Sequence, residues 1–112
     1  MKVDIKATNL ELTPAIHAYI QKKMDMAEKY LGKQDVIQCD FEVALTTHHH
    51  HKGQIFRAEV NLSIAKEYLR ADRTSEDLYK AIDEVKDNLV DLINKHKEKR
   101  LSKRRLAKKE DA

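Results

Sequence analysis

The C-terminal third of the chain repeats apolar residues with a helical period. Apolar positions recur there at steps of three and four residues, which is typical of one buried stripe on an amphipathic helix. The stripe comprises Leu78, Ile82, Val85, Leu89, Ile93 and His96. Thr74 or Ser75 is expected to cap this helix, and Asp77, three residues after Thr74, nearly completes a capping box. Glu76 and Asp77 are expected to place negative charge on the first turn.

This helix is predicted to be longer than its apolar stripe. No glycine or proline follows the stripe, so the helix is expected to continue to about Arg105, a length of about 45 Å. The stripe stops near His96, whereas basic residues continue beyond it. One end of the helix should therefore pack against a core and the other end should project.

The N-terminal part of the chain predicts a short strand and another amphipathic helix. Apolar and polar residues alternate over residues 3–7, as in a strand with one buried face. Thr13-Pro14 marks a helix start, because proline is favoured at the first helical position, and Gly32 is expected to end the helix. The apolar stripe of this helix is Ile16, Ile20, Met24, Ala27 and Leu31, and the cations expected to face outward are Lys22, Lys23 and Lys29.

The middle of the chain predicts three strands. Two of these strands are expected over about residues 36–46 and 55–64, with a loop between them. The third, shorter strand is expected over residues 68–73, after a turn at 65–67. Their inward residues are predicted to be Ile37, Cys39, Phe41, Val43 and Leu45, then Phe56, Ala58, Val60, Leu62 and Ile64. The order β-α-β-β-β-α predicts an α+β fold, in which two helices cover one face of a four-stranded mixed sheet. The first two strands should be parallel, joined by a right-handed crossover.

Length and composition narrow the class of protein. A chain of 112 residues is expected to form one domain. The single cysteine excludes an internal disulfide and suits a reducing compartment. No apolar run approaches about 18 residues, the length of a membrane span, and the start of the chain has no signal-peptide core. The sequence therefore predicts a cytoplasmic protein with no membrane partner.

Charge is distributed very unevenly. Residues 95–109 contain nine Lys/Arg and one acid, a net charge of +8. The rest of the chain contains 13 bases and 18 acids, a net charge of −5. An acidic body with a basic segment indicates a polyanionic partner. The alternative is a disordered terminus whose charges only keep the protein in solution.

Few residues suggest other chemistry. His48–His51 could bind a transition metal, although adjacent loop residues rarely complete a tetrahedral site, and a polar hairpin loop is the favoured interpretation. Cys39 is expected to be buried by strand alternation and therefore unreactive. The acids of the last helix, Asp83, Glu84, Asp87 and Asp91, are interpreted as a solvated face with partners such as Asp83 to Lys86. Without a phosphate loop or a catalytic motif, no enzyme, small-molecule substrate or cofactor is predicted.

An ordered set of segments resembles the ribosome hibernation-promoting factor and ribosome-associated inhibitor family. The resemblance covers about residues 1–100. The matching segments are Leu12-Thr13-Pro14-Ala15-Ile16, Lys22-Lys23, Phe56-Arg57-Ala58-Glu59, Leu69-Arg70-Ala71, Asp77-Leu78-Tyr79-Lys80-Ala81-Ile82-Asp83 and Lys95-His96-Lys97. The family fold has the same order of elements and is similar to a double-stranded-RNA-binding domain. The chain resembles the short members of the family, which lack the additional C-terminal domain of the long members.

The resemblance implies a role on the ribosome. It implies binding to the small ribosomal subunit, through 16S rRNA and ribosomal proteins and also within the 70S ribosome, near the decoding centre. There the bound factor blocks mRNA and tRNA sites and stops translation under stress. The resemblance also implies contacts from basic residues on both helices. With the exposed cations of the basic segment, the predicted RNA-binding residues are Lys22, Lys23, Lys29, Lys80, Lys86, Lys95, Lys97, Lys99, Arg100, Arg104 and Arg105.

The basic end of the last helix is the favoured contact surface. The family often has basic residues where this chain has Asn88, Asp91 and Asn94, so the middle of the helix is expected to contribute less. Residues 1–100 are predicted to form the ribosome-binding domain, and 101–112 a basic tail that is either helical or disordered. The protein is expected to be monomeric away from the ribosome. An aromatic content of 5% argues against a platform that stacks single strands, and Tyr79 is expected to be half-buried.

The sequence leaves two other functions open. The first is a general RNA-binding protein without ribosome specificity. The second is a membrane-surface or partner-helix module, since basic amphipathic helices bind anionic lipid. The second is disfavoured because the apolar stripe is needed for the core and ends where the basic run begins.

Overall fold

Two helices and four strands follow one another in the predicted order. The computed structural model describes residues 1–46 and 53–110, the last six of these by their backbone alone. The elements are β1 (Asp4–Thr8), α1 (Pro14–Glu28), β2 (Val36–Thr46), β3 (Ile55–Ile64), β4 (Glu67–Ser75) and α2 (Leu78–Glu110). The sheet order is β1-β2-β3-β4, with β1 parallel to β2 and the other pairs antiparallel. The predicted α+β fold with a mixed sheet is confirmed.

The core lies between the inner face of the sheet and the apolar stripes of the two helices. Burial alternates along β3, so one face of the sheet is apolar and packed while the other is polar. The helix residues buried in this core include Ile16, Ile20, Met24, Ala27, Leu78, Ile82, Val85, Leu89 and Ile93. The apolar stripes predicted for both helices are confirmed.

The two ends of α1 are set by local interactions that the sequence predicts. The Thr13 hydroxyl oxygen accepts a hydrogen bond from the backbone N–H of Ile16 at 3.2 Å, and Pro14 is the first helical residue. A single 3-10 turn over Lys29–Leu31 tightens the last turn. Gly32 then adopts φ +64°, a conformation that glycine reaches without steric cost, and the chain turns back towards β2.

The start of β2 departs from the predicted alternation. Ile37, predicted to face inward, is 68% exposed, and Val36 packs against the core instead. The pairing of β2 with β3 shifts register between Val36 and Gln38. One extra residue at such a bulge reverses the side-chain alternation beyond it. Cys39 and Phe41 keep their predicted inward positions.

The beginning of α2 lies slightly later than predicted. β4 continues through Ser75, so Thr74 and Ser75 belong to the strand and neither caps the helix. Asp77 is the cap, because its Oδ1 accepts from the backbone N–H of Tyr79 at 2.9 Å and of Lys80 at 3.3 Å. Glu76 and Asp77 therefore precede the first helical turn rather than occupy it.

The packed part of α2 ends near His96. Its side chain is 10% exposed, and Nδ1 lies 3.5 Å from Oε2 of Glu67 at the start of β4. The 33 residues of α2 correspond to about 50 Å, and the long dimension of the molecule is 62 Å against 28 and 17 Å. Neither helix of the described chain combines the length and the apolar composition that a bilayer crossing requires.

Candidate nucleic-acid interface

The basic end of α2 presents cations that acids do not neutralise. Lys97 is half-buried, and the other five described cations of this segment, Lys95, Lys99, Arg100, Lys103 and Arg104, are exposed. No acidic side chain within residues 1–46 and 53–104 forms an ion pair with any of these six. The side chain of Arg105, also predicted to bind RNA, lies outside the described residues. Lys95, Lys99 and Lys103 follow one another at four-residue steps on one side of the helix. Lys97, Arg100 and Arg104 lie on another side, and the six cations together are called the positive edge.

The outer face of the sheet is different, because acids neutralise its cations. Arg57 contacts Glu59 at 2.8 Å and Asp72 at 2.8 Å, and Arg70 contacts Glu59 at 3.0 Å. The hydrogen bond from Arg57 lowers the pKa of the Asp72 carboxyl below its ordinary value, despite the opposing effect of burial. The cations of this face are therefore engaged within the protein. The cations that form no ion pair among the described residues therefore lie mainly on the helices rather than on the open sheet.

Of the lysines predicted on α1, Lys23 does not face freely outward. Its side chain is 20% exposed, and Nζ lies 3.1 Å from Oδ1 of Asp83 on α2. Nζ also lies 5.3 Å from the centroid of the Tyr19 ring, within the range of a cation–π contact. Lys22 and Lys29 are exposed as predicted. Lys23 therefore joins the helices to each other.

Asp83 is the centre of this contact between α1 and α2. The Tyr19 hydroxyl donates a hydrogen bond to Oδ1 of Asp83 at 2.5 Å. Burial alone would raise the pKa of the Asp83 carboxyl, but the hydrogen bonds from Tyr19 and Lys23 and the charge of Lys23 outweigh it and lower that pKa. The Tyr79 ring, 40% exposed, meets the Tyr19 ring edge to face at 4.8 Å. The cluster is a structural clamp. Tyr79, predicted to be half-buried, is instead exposed, because only one side of its ring packs against Tyr19.

The lysines in the packed half of α2 differ from each other. Lys80 is exposed and takes part in no ion pair within the described side chains. Lys86 is 15% exposed and its Nζ lies 3.2 Å from Oδ1 of Asp87. The predicted pairing of Asp83 with Lys86 is wrong, because Asp83 turns towards α1. Lys86 is the less accessible of the two lysines for an external phosphate.

A groove runs between the basic end of α2 and the connection from α1 to β2. Its volume is about 670 Å³. Its cations are Lys97, Arg100 and Arg104 from α2 and Lys33 from the connection. Lys33 is absent from the predicted set because no periodic pattern marks it. A signal was nevertheless present, since Gly32 predicts the turn that brings the residues after it back along the fold.

Two other candidate sites were a reactive cysteine and a metal site. Burial raises the pKa of the Cys39 thiol from 9.0 to about 12, so it stays protonated and a poor nucleophile at neutral pH. Within residues 1–46 and 53–110, no three His, Cys, Asp or Glu residues are arranged to hold a metal ion. His48–His51 lie outside the described residues, so the interpretation of that loop stays a prediction.

Known proteins resemble this chain over most of its length. The family model described as "Sigma 54 modulation protein / S30EA ribosomal protein" matches residues 3–101. The Ribosome hibernation promotion factor of Lactococcus lactis is 32% identical over 97 residues, which are 87% of this chain and 50% of that protein. The Ribosome hibernation promoting factor of Klebsiella oxytoca is 28% identical over 99 residues, 88% of this chain and 96% of that protein. The chain thus spans about half the length of some curated relatives and nearly all of another.

Solved structures share the fold. The N-terminal domain of Protein Y from Thermus thermophilus superposes with a TM-score of 0.73 at 25% identity, over 86% of this chain and 99% of that one. A ribosomal subunit interface protein from Coxiella burnetii superposes with a TM-score of 0.67 at 16% identity, over 87% and 98%, and shows the likeness of fold alone. The resemblance inferred from the residues is confirmed, and the chain belongs to the Sigma 54 modulation protein / S30EA ribosomal protein family.

Proposed function

We propose that this protein is a ribosome hibernation factor that binds the small ribosomal subunit and inhibits translation. The observation that carries the proposal is the positive edge at the end of α2, whose cations meet no described acid, on a fold shared with the family. The names of the relatives from Lactococcus lactis and Klebsiella oxytoca support the same role.

The physical chemistry of the surface suits ribosomal RNA. Phosphate contacts depend on Lys and Arg and supply much of the affinity of proteins for nucleic acids. Double-stranded RNA is recognised mainly through its shape, its phosphates and its 2′-hydroxyls, so a rigid helix with charges on successive turns is a suitable reader. The proposed contacts are Lys95, Lys97, Lys99, Arg100 and Arg104, with Lys22, Lys29 and Lys80 at the periphery.

The proposed binding site is the region near the decoding centre. A folded body placed there, held through 16S rRNA and ribosomal proteins, would occupy the sites of mRNA and tRNA. Occlusion needs no catalytic group and no cofactor. The protein would act as a monomer, in the cytoplasm, on idle small subunits and 70S ribosomes during stress or stationary phase.

The proposal also assigns different roles to two segments of the chain. Residues 1–100 would form the ribosome-binding domain, and residues 101–112 would extend its basic surface as a tail. The last part of α2, up to Glu110, continues the helix through this segment. A lipid-surface role has less support, because the apolar stripe of α2 is buried in the core and is not available to a membrane.

Sedimentation and translation measurements test the proposal together. The purified protein should co-sediment with small subunits and 70S ribosomes on sucrose gradients, and it should inhibit translation in vitro at stoichiometric amounts. Unchanged translation at a several-fold excess over ribosomes would contradict the proposal. Binding to isolated RNA duplexes as tightly as to small subunits would support the general RNA-binding alternative instead.

A further inference from the structure

The groove beside the basic end of α2 combines charged and apolar surface. One wall carries Arg100 and Arg104 with Leu101, which is 51% exposed although it is a large apolar residue. Lys33 lines the groove from the connection between α1 and β2, together with Leu31, which is only 3% exposed. The other three cations of the positive edge, Lys95, Lys99 and Lys103, are exposed but do not line the groove.

The local backbone explains why Lys33 reaches this position. The positive φ of Gly32 turns the chain after the 3-10 turn that follows α1, and residues 33–35 line the groove beside α2. An L residue at position 32 would be strained there. The groove is therefore formed by residues 31–35, Ala65 and residues 97–104, which are distant in sequence and are brought together by the fold.

The chemistry of the lining identifies the kind of occupant. A nucleotide presents a charged phosphate and a flat base with largely apolar faces, and bases in RNA–protein complexes pack on arginine guanidinium planes. Four cations face one acid, Asp35, so the net charge of the lining is +3. A volume of about 670 Å³ lies within the range of about 300–1,000 Å³ that is usual for ligand sites.

We propose that this groove holds one unstacked nucleotide of ribosomal RNA, with its base against Leu101 and its flanking phosphates on Lys33, Arg100 and Arg104. This inference rests on the proposed function and adds a subsite to it. Lys33 becomes an RNA-contacting residue outside both helices. Leu101 supplies an uncharged contact within a segment that otherwise acts through charge.

Two variants separate the phosphate contact from the base contact. Dissociation constants for purified small subunits are measured over about 50–200 mM salt, the range in which phosphate contacts lose affinity steeply. Lys33→Ala should weaken binding several-fold and make the slope of log K against log salt shallower by about 0.7–0.9, as expected for one lost contact. Leu101→Ser should weaken binding with an unchanged slope, because no charge is lost.

Two further variants serve as controls. Lys6→Ala removes the same charge from the outer face of the sheet, where Lys6 is 77% exposed, and it should change neither affinity nor slope. Asp35→Asn removes the acid of the groove and should tighten binding. All four positions are solvent-accessible, so circular dichroism should show unchanged melting temperatures and exclude unfolding as the cause.

The outcomes distinguish failure of the groove from failure of the proposed function. If the unmodified protein does not bind small subunits, both fail. If it binds and both Lys33→Ala and Leu101→Ser bind equally well, only the groove proposal fails. If Lys33→Ala alone weakens binding, the groove is a phosphate contact and the nucleotide subsite is overturned.

A crosslink identifies the occupant directly. The photoreactive residue p-benzoylphenylalanine is placed at position 101, and the variant is irradiated in complex with small subunits. A crosslink to ribosomal RNA, mapped to one nucleotide, is the expected result. A crosslink to a ribosomal protein alone would mean that the groove holds a peptide segment, which overturns the proposal.

Discussion

Up to Ile93, α2 buries its apolar stripe against the sheet, whereas from Lys95 onward the same helix presents cations to solvent and to a groove. Leu89 and Ile93 have almost no exposed surface, while Lys95 and Lys99 are exposed. The backbone is continuous, so the difference lies entirely in the side chains. Burial of apolar side chains stabilises the fold, and exposed charges contribute little to that stability.

This contrast indicates that fold stability and the proposed RNA binding depend on separate parts of one helix. The packed half holds the helix in place and thereby orients the basic half. The basic half needs no core of its own, since helix propagation from an established segment is favourable. Substitutions in the two halves should therefore affect different measurements.

The largest expected effect on stability comes from Leu89→Ala in the packed half. Truncating a fully buried leucine usually costs about 2–5 kcal/mol of unfolding free energy, because apolar contacts are lost and a cavity remains. Urea denaturation measures this loss. Leu101→Ala is the matched control on the same helix, and its half-exposed side chain should change stability by less than about 0.5 kcal/mol.

Ribosome binding by Leu89→Ala should weaken only in proportion to the unfolded fraction. The measurement is therefore made at a temperature where the variant remains folded by circular dichroism. Weakened binding by fully folded Leu89→Ala would show that the two halves are not separable in the way the burial pattern indicates.

The largest expected effect on binding comes from the basic half. Lys95, Lys97, Lys99 and Arg100 changed together to Ala should leave the melting temperature nearly unchanged. Affinity for small subunits should fall at every salt concentration, and each true phosphate contact that is lost should reduce the salt slope by roughly 0.7–0.9. A triple control, in which Lys2, Lys6 and Arg73 are changed to Ala, removes exposed cations that lie outside both helices and should bind normally.

If the quadruple variant binds with the same affinity and the same salt slope as the unmodified protein, the end of α2 is only a solvated terminus that does not contact RNA. The RNA surface would then have to lie on α1, where Lys22 is exposed. Lys23 is a weaker alternative, because its ion pair with Asp83 would have to break first.

A smaller effect is expected where α1 clamps the packed half of α2. Asp83→Asn should lower stability at neutral pH by about 1 kcal/mol, since the charge that Lys23 and Tyr19 bind is lost and partial exposure screens the pair. The pKa of Asp83 is lowered in the folded state, so its contribution is present above the ordinary value of 3.8 and lost as pH falls below it. The stabilities of the variant and the unmodified protein should therefore converge in acid.

Asp87→Asn is the control for that prediction. Asp87 is on the same helix but 72% exposed, with Lys86 as its partner. Its removal should change stability little at any pH. Urea titrations between about pH 3 and 7 give both curves, and a gap for Asp83→Asn that persisted in acid would mean that packing rather than charge holds the clamp.

The features that the sequence predicts correctly are those set by residues close together in sequence, and the features it misses depend on contacts between distant segments. Periodicity identified both α-helices with their stripes and all four strands, because burial of one face imposes a period of two or of 3.6 residues. The bulge that exposes Ile37 depends on pairing with β3, and alternation within one strand cannot show it. The partner of Asp83 is 64 residues away at Tyr19, and so only the fold reveals it.

The candidate site shows the same limit. Composition alone located the basic end of α2, since the charge is concentrated in one segment. Lys33 lies beside that segment because the chain turns at Gly32. Lys23 is less accessible than predicted because it forms an ion pair with Asp83. A list of cations read from sequence therefore includes engaged residues and omits residues that a loop brings in.

The smallest effect is expected from the most conspicuous run of identical residues. His48–His51 changed to Ser should alter neither the melting temperature nor affinity for small subunits at neutral pH. The flanking strands are held in register by their apolar faces, down to the pair Thr46 and Ile55, and an ordinary histidine is mostly neutral at that pH. Calorimetry and subunit binding measure the two quantities. A large loss of melting temperature, or of a stoichiometric metal, would instead make this loop a second functional site beside the basic end of α2.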